Sequence, residues 1–228
     1  MNTRSRQQPM NKEAVAKRII EIGILPVIRA KSAKLALQAV EAMYAGGLAV
    51  VEITMTVPGA IELIRELSSK MGNDILVGAG TVLDPETGMR CLDAGAEFLV
   101  SPGFDLPTVK LASQCGKLMI AGALTPTEVI CAWKAGSDMV KIFPCGTVGG
   151  AKYIKALKGP LPQIPMVPTG GVNLDTVPEL IRAGAEALGV GGELISASAL
   201  HSGNIDEIRD SAKKFVAAVR EARESISA

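Results

Sequence analysis

Aromatic residues are scarce in this chain: one Trp, two Tyr and four Phe among 228 residues, 3% in all. A core built on aromatic-rich antiparallel sheets is therefore excluded. The 48% apolar content is carried by small and branched aliphatic residues, which suits buried parallel strands covered by helices. Histidine is nearly absent (His201 alone, expected in a loop near the C-terminus and assigned no role), and the four cysteines, Cys91, Cys115, Cys131 and Cys145, form no CxxC pair. This residue set argues against a zinc site and does not indicate a disulfide framework. The thiols read as reduced, small hydrophobes in a cytoplasmic protein. Neither charge sign is in excess: 24 Lys and Arg face 23 Asp and Glu, a net charge of +1. That balance gives no electrostatic case for nucleic acid or an anionic membrane as partner. No apolar run is long enough to span a bilayer. Residues 1–11 are polar, contain Arg4 and Arg6, and lack the apolar core of a signal peptide. They read as a flexible leader, with residues 12–228 as a single domain.

Short apolar runs alternate with helical patterns. The runs are Ile24 to Arg29, Leu48 to Thr54, Ile75 to Gly80, Glu97 to Ser101, Leu118 to Ala121, Asp138 to Phe143, Ile164 to Thr169 and Ala187 to Gly191. Asp84-Pro85 and Thr125-Pro126 place a capping side chain before a proline at the first helical position. Thr125 and Glu128 have capping-box spacing, and Ser32 and Pro58 are expected to open two more helices. Ala-Gly pairs at 45–46, 94–95, 135–136 and 183–184 each precede a run, as helix stops should. Eight strands with eight crossovers close most simply as a (β/α)8 TIM barrel. An extra N-terminal helix, from about Lys12 to Ile22, is expected to cap its bottom. A doubly wound open sheet is the alternative, but the chain shows no dinucleotide fingerprint.

In such a barrel the active site lies at the C-terminal ends of the strands. Read in order, these ends carry Arg29, Glu52 with Thr54 and Thr56, Thr81, Ser101-Pro102, Lys141, Thr169 with Gly170-Gly171, and Gly191-Gly192. Lys141 is the most informative of them. It sits among Met139, Val140, Ile142 and Phe143, where an ammonium is expensive unless it is paired or loses its proton. A neutral lysine is a nucleophile toward a carbonyl carbon, so Lys141 points to Schiff-base chemistry. The bland alternative is a strand-end lysine that snorkels to solvent, but it would take Met139 and Phe143 outward with it. Glu52 lies in a second apolar strand. It reads as an acid/base group, with a purely structural partnership to Arg29 or Lys141 as the alternative. Arg29 suits bidentate capture of a carboxylate. The glycine pairs after the last two strands suit an anion, because exposed N–H groups there face outward beside a helix N-terminus.

Several motifs now stand in order: Val51-Glu52-Ile53-Thr54, Gly78-Ala79-Gly80-Thr81-Val82, Ser101-Pro102-Gly103, Val140-Lys141-Ile142-Phe143-Pro144, Pro168-Thr169-Gly170-Gly171-Val172 and Gly189-Val190-Gly191-Gly192. Together they make the chain similar to the 2-keto-3-deoxy-6-phosphogluconate (KDPG) aldolases, also called 4-hydroxy-2-oxoglutarate (KHG) aldolases. The resemblance runs from about Ile24 to the final helix. It implies a TIM barrel, a homotrimer and class I aldol chemistry with no metal and no cofactor, and a small-molecule 2-keto acid as the binding partner. KDPG would give pyruvate and glyceraldehyde 3-phosphate; 4-hydroxy-2-oxoglutarate would give pyruvate and glyoxylate. By the same resemblance Lys141 is the Schiff-base lysine and Glu52 the acid/base glutamate. Arg29, Thr54, Thr81, Pro102, Phe143, Thr169, Gly170, Gly171, Gly191 and Gly192 contact substrate. Two positions depart from the family pattern. Thr56 stands where many members carry a carboxylate-binding arginine, a role Arg29 is placed to take over. Glu193 stands where many have a small or hydroxyl residue near the substrate phosphate. The alternatives are an aldolase for an unphosphorylated 2-keto-3-deoxy sugar acid, a barrel isomerase or synthase that uses Glu52 without an imine, and a non-catalytic or scaffold barrel.

Overall fold

The computed structural model describes residues 10–72 and 74–227. Residues 1–9 of the expected leader lie outside the described residues. Met10 packs against the barrel bottom, and Asn11 caps the first helix by accepting from the Ala14 amide at 2.8 Å.

Eight strands alternate with helices. They are β1 (Ile24–Ile28), β2 (Val50–Thr54), β3 (Leu76–Gly80), β4 (Phe98–Val100), β5 (Leu118–Ala123), β6 (Met139–Ile142), β7 (Met166–Pro168) and β8 (Leu188–Val190). The helices are α1 (Lys12–Ile22), α2 (Ala33–Ala45), α3 (Ala60–Met71), α4 (Pro85–Asp93) and α5 (Leu106–Gln114), followed by α6 (Pro126–Lys134), α7 (Ala151–Lys158), α8 (Val177–Arg182), α9 (Ala197–Ser202) and α10 (Ile205–Ser227). All strand pairs are parallel, in the order β7-β6-β5-β4-β3-β2-β1-β8. A bridge between Thr169 and Gly189 joins the two edges and closes the barrel.

The two-residue side-chain period of a strand divides the core in two. Leu25, Val50, Leu76, Phe98, Leu118 and Met139 point inward and pack on Val15 and Ile19 of α1, which plugs the bottom. Their sequence neighbours Ile24, Val51, Val77, Leu99, Met119 and Val140 point outward into the layer shared with the surrounding helices.

The local signals hold at most helix ends. Asp84 and Thr125 cap α4 and α6 with proline next, Thr125 and Glu128 form a full capping box, and Ser32 caps α2. Three differences have local causes. The helix expected at Pro58 begins at Ala60, because Gly59 turns left-handed (φ 74°) before it. The stop expected at Gly46 is executed by Gly47 (φ 97°), while Gly46 stays right-handed. Position 201, expected in a loop, lies in α9, which Ser196 caps by accepting from the Ala199 amide. The cysteines also split: Cys91 and Cys145 are buried, but Cys115 and Cys131 are exposed on helix ends and surfaces instead of packing as hydrophobes.

Removing the plug is a direct test of the lower core. Ile19 is fully buried, so Ile19→Ala is expected to lower unfolding free energy by about 2–5 kcal/mol. A urea midpoint unchanged from wild type would show that α1 does not hold the barrel bottom.

Candidate active site

The inward-facing layer changes character toward the C-terminal ends. Above the apolar plug, β2 presents Glu52 and β6 presents Lys141. Lys141 Nζ lies 3.5 Å from Glu52 Oε1, with the two side chains 5% and 1% exposed. Neither Glu52 oxygen has a hydrogen-bond partner among the described residues. A buried carboxylate with unused acceptor positions costs stability, and such groups concentrate where chemistry needs them. Lys141 does not snorkel. Its nitrogen stands 5.5 Å from the centre of the Phe143 ring, on the same strand face one layer up.

Small residues make the room. A Cβ on Gly80 would sit 1.9 Å from Glu52 Oε1, so only hydrogen at this position lets the carboxylate lie against β3. Gly122 is the ladder neighbour of Lys141. A Cβ there would meet the Pro102 carbonyl carbon at 2.2 Å. The loop after β4 thus folds over the barrel mouth, held by Ser101 Oγ, which donates to the Gly103 carbonyl (2.7 Å) and accepts from the Gly122 amide (3.2 Å).

A cavity of about 240 Å³ opens at the barrel mouth beside Phe143; neither Lys141 nor Glu52 is on its wall. Val27, Phe143 and Thr169 form its inner wall, and Gly170, Gly171, Gly191 and Gly192 its rim. Arg29, Val172, Asn173, Gly189 and Glu193 complete it. The Gly170 and Gly171 turn needs left-handed backbone (φ 87° and 78°) and is pinned from below: the Cys145 and Gly146 amides donate to the Thr169 and Gly170 carbonyls at 2.9 and 2.8 Å. The Gly170, Gly171 and Gly192 amides donate to no acceptor among the described residues. A larger cavity of about 750 Å³ adjoins it through Arg29, Gly191 and Gly192 and runs past Lys31, Leu35 and Ile195. Arg29 has no ion-pair partner among the described residues, which leaves its guanidinium available at the junction.

Three residues named from sequence stand elsewhere. Thr54 is fully buried and its hydroxyl donates to the Ile28 carbonyl (2.8 Å) while lying 2.6 Å from Thr56 Oγ1, so it ties β2 to β1. Thr81 and Pro102 are not on the wall of the 240 Å³ cavity. Thr81 adopts φ 58°, a conformation that costs a β-branched residue about 1–3 kcal/mol and is typical of functional sites. Sequence reasoning overlooked Val27, Asn173 and Lys31 as wall residues. Val27 looks like ordinary strand filling, and Asn173 also accepts from the Thr176 amide as a turn residue would. Burial raises the thiol of Cys145, just beyond the Lys141 strand, to about 11, so it stays protonated and inert there.

The family model for KDPG and KHG aldolase matches residues 15–211. The KHG/KDPG aldolase of Escherichia coli K12 is 33% identical over 208 residues, covering 90% of this chain and 97% of that protein. The 2-dehydro-3-deoxy-phosphogluconate aldolase of Dickeya dadantii is 35% identical, covering 91% and 97%. Among solved structures, a KDPG aldolase from Legionella pneumophila with pyruvate captured as a covalent carbinolamine superposes with a TM-score of 0.81. It is 28% identical, with 92% of this chain and 98% of that one covered.

Gly80→Ala is expected to fold but to push the Glu52 carboxylate out of place. A displacement of that size costs about 10²-fold in turnover. Turnover at the wild-type rate would mean that the position of Glu52 is not critical.

Proposed function

The chain belongs to the KDPG and KHG aldolase family and is a class I aldolase; from that premise we propose that Lys141 forms the Schiff base and Glu52 moves the protons. The reading rests on one observation above all, the buried Lys141–Glu52 pair 3.5 Å apart on the inward faces of β2 and β6. Lys141 passes a proton to Glu52, and the uncharged amine so formed attacks C2 of a 2-keto-3-deoxy acid. Glu52 passes a proton to the departing oxygen as the carbinolamine loses water and becomes an iminium. Glu52 then takes the C4 hydroxyl proton. The C3–C4 bonding pair moves into the iminium, the aldehyde leaves, and an enamine of pyruvate remains. Protonation at C3 and addition of water to C2 free Lys141 and release pyruvate.

Arg29 holds the substrate carboxylate in the place that Thr56 does not fill. Thr81 frames the same end, Pro102 and Phe143 cover the reacting carbons, and Thr169 lies between the amine and the rim, while buried Thr54 holds β2 to β1 behind them. The amides around Gly170, Gly171, Gly191 and Gly192 face the distal end of the substrate. The substrates this supports are KDPG, cleaved to pyruvate and glyceraldehyde 3-phosphate, and 4-hydroxy-2-oxoglutarate, cleaved to pyruvate and glyoxylate. We further infer a single catalytic domain from residue 12 onward, working as a homotrimer in the cytoplasm. Among the described residues no helix is long and apolar enough to cross a membrane.

Borohydride reduction in the presence of pyruvate is expected to attach the three-carbon unit to Lys141, and Lys141→Ala to abolish the adduct. Peptide mapping that finds the adduct elsewhere would end the assignment. In Glu52→Gln, turnover is expected to fall by about 10²–10⁴-fold, with trapping slower but still detectable. A variant with wild-type kcat would remove Glu52 from the proton path.

A further inference from the structure

We propose that Glu193 is a specificity-determining residue that converts the glycine rim from an anion site into a hydroxyl-binding one, so that unphosphorylated 2-keto-3-deoxy sugar acids are used in preference to their phosphate esters. The inference rests on the aldolase reading above and concerns the far end of the same cavity.

The rim has two kinds of group. The Gly170, Gly171 and Gly192 N–H groups offer donors with no acceptor among the described residues. Glu193 lines the same 240 Å³ space and offers only acceptors once ionised. No cation lies within ion-pair distance of Glu193 among the described residues. A substrate hydroxyl satisfies both, accepting from an amide and donating to the carboxylate. A phosphate monoester carries about −1.5 to −2 at neutral pH and has essentially acceptors only. It would satisfy the amides while facing the carboxylate as a like charge.

The remaining charge in the cavity does not reverse this. Among the described residues Arg29 is the one cation on its wall, and at the carboxylate end of the substrate it is already committed; Lys31 lines the adjoining 750 Å³ cavity and not this one. What is left at the distal end is amide dipoles and one carboxylate. Like charges a few ångströms apart in a half-exposed pocket weaken binding by about tenfold or more. Glu193 is exposed, so it keeps its charge without burial and without strain on the fold.

The test compares kcat/KM for pyruvate release from 2-keto-3-deoxygluconate and from its 6-phosphate in wild type, Glu193→Gln and Glu193→Ser. The expected wild type favours the unphosphorylated acid. Both variants should raise kcat/KM for the ester by about tenfold. Glu193→Ser should also lose ground on the unphosphorylated acid, because its hydroxyl no longer finds a carboxylate. If wild type releases pyruvate too slowly from either acid, the same ratio is read in the synthetic direction, with pyruvate and either glyceraldehyde or its 3-phosphate. A wild type that favours the ester, or a ratio that moves less than about threefold in both variants, overturns the inference. Borohydride trapping on wild type separates the two levels. Trapping at Lys141 with an unmoved ratio removes the role of Glu193 alone, whereas no trapping removes the aldolase reading and this inference with it.

Discussion

An ammonium-bearing side chain and a carboxylate, both shut away from water at the centre of an aliphatic barrel, set the terms for everything around them. Either one alone would be very costly there. Together they neutralise each other, yet the 3.5 Å separation leaves the carboxylate oxygens without hydrogen bonds. A pair built only for stability would be expected to satisfy those oxygens. The surrounding sequence instead clears space, with Gly80 against the carboxylate and Gly122 beside the lysine. Interior glycines weaken strands, so their presence at this level fits a site that must admit a ligand.

The barrel divides its labour along its axis. Below the pair the interior is filled by Leu25, Val50, Leu76, Phe98, Leu118 and Met139 and sealed by α1. Ion pairs at the same end join elements that sequence separates: Lys12 with Asp138 at 2.9 Å, Lys117 with Glu97 at 2.7 Å and Lys158 with Glu186 at 2.5 Å. Asp138 and Glu186 also accept from the Met119 and Met166 amides, which anchors the starts of β5 and β7. Above the pair the polar groups are left open: free amides, an unpaired guanidinium and a left-handed threonine. A rigid lower half lets the upper half keep groups that do not stabilise the fold.

Much of this was legible in the sequence because the controlling signals are local. All eight strands, the α1 plug and the cap residues at Ser32, Asp84 and Thr125 follow from period, proline and glycine placement. The misplacements at Pro58 and Gly46 are one- or two-residue slips, where neighbouring glycines could each supply the turn. Lys141 and Glu52 were visible because a charge in an apolar strand is locally anomalous. Thr54 was misleading: its strand-end position suggests a ligand contact, but its hydroxyl is already committed to the Ile28 carbonyl across the ladder. Such a cross-strand bond depends on register, which no local pattern displays. Val27 and Lys31 share that limitation, since what makes them wall residues is the approach of β8 and α9 from the far end of the chain.

The two glutamates of the site illustrate a difference in how firmly each position is fixed. Glu52 is enclosed, and its place depends on a missing Cβ across the ladder, so neither it nor Gly80 can change without disturbing the other. Glu193 stands on an exposed turn after the last strand. A substitution there alters the field at the distal end of the cavity without disturbing the amine or its partner beneath. On the proposed reading, bond cleavage depends on residues locked by packing, and selection of the substrate's far end on an exposed one. A barrel arranged this way can exchange one 2-keto acid for another through its rim while the reaction at its centre stays the same.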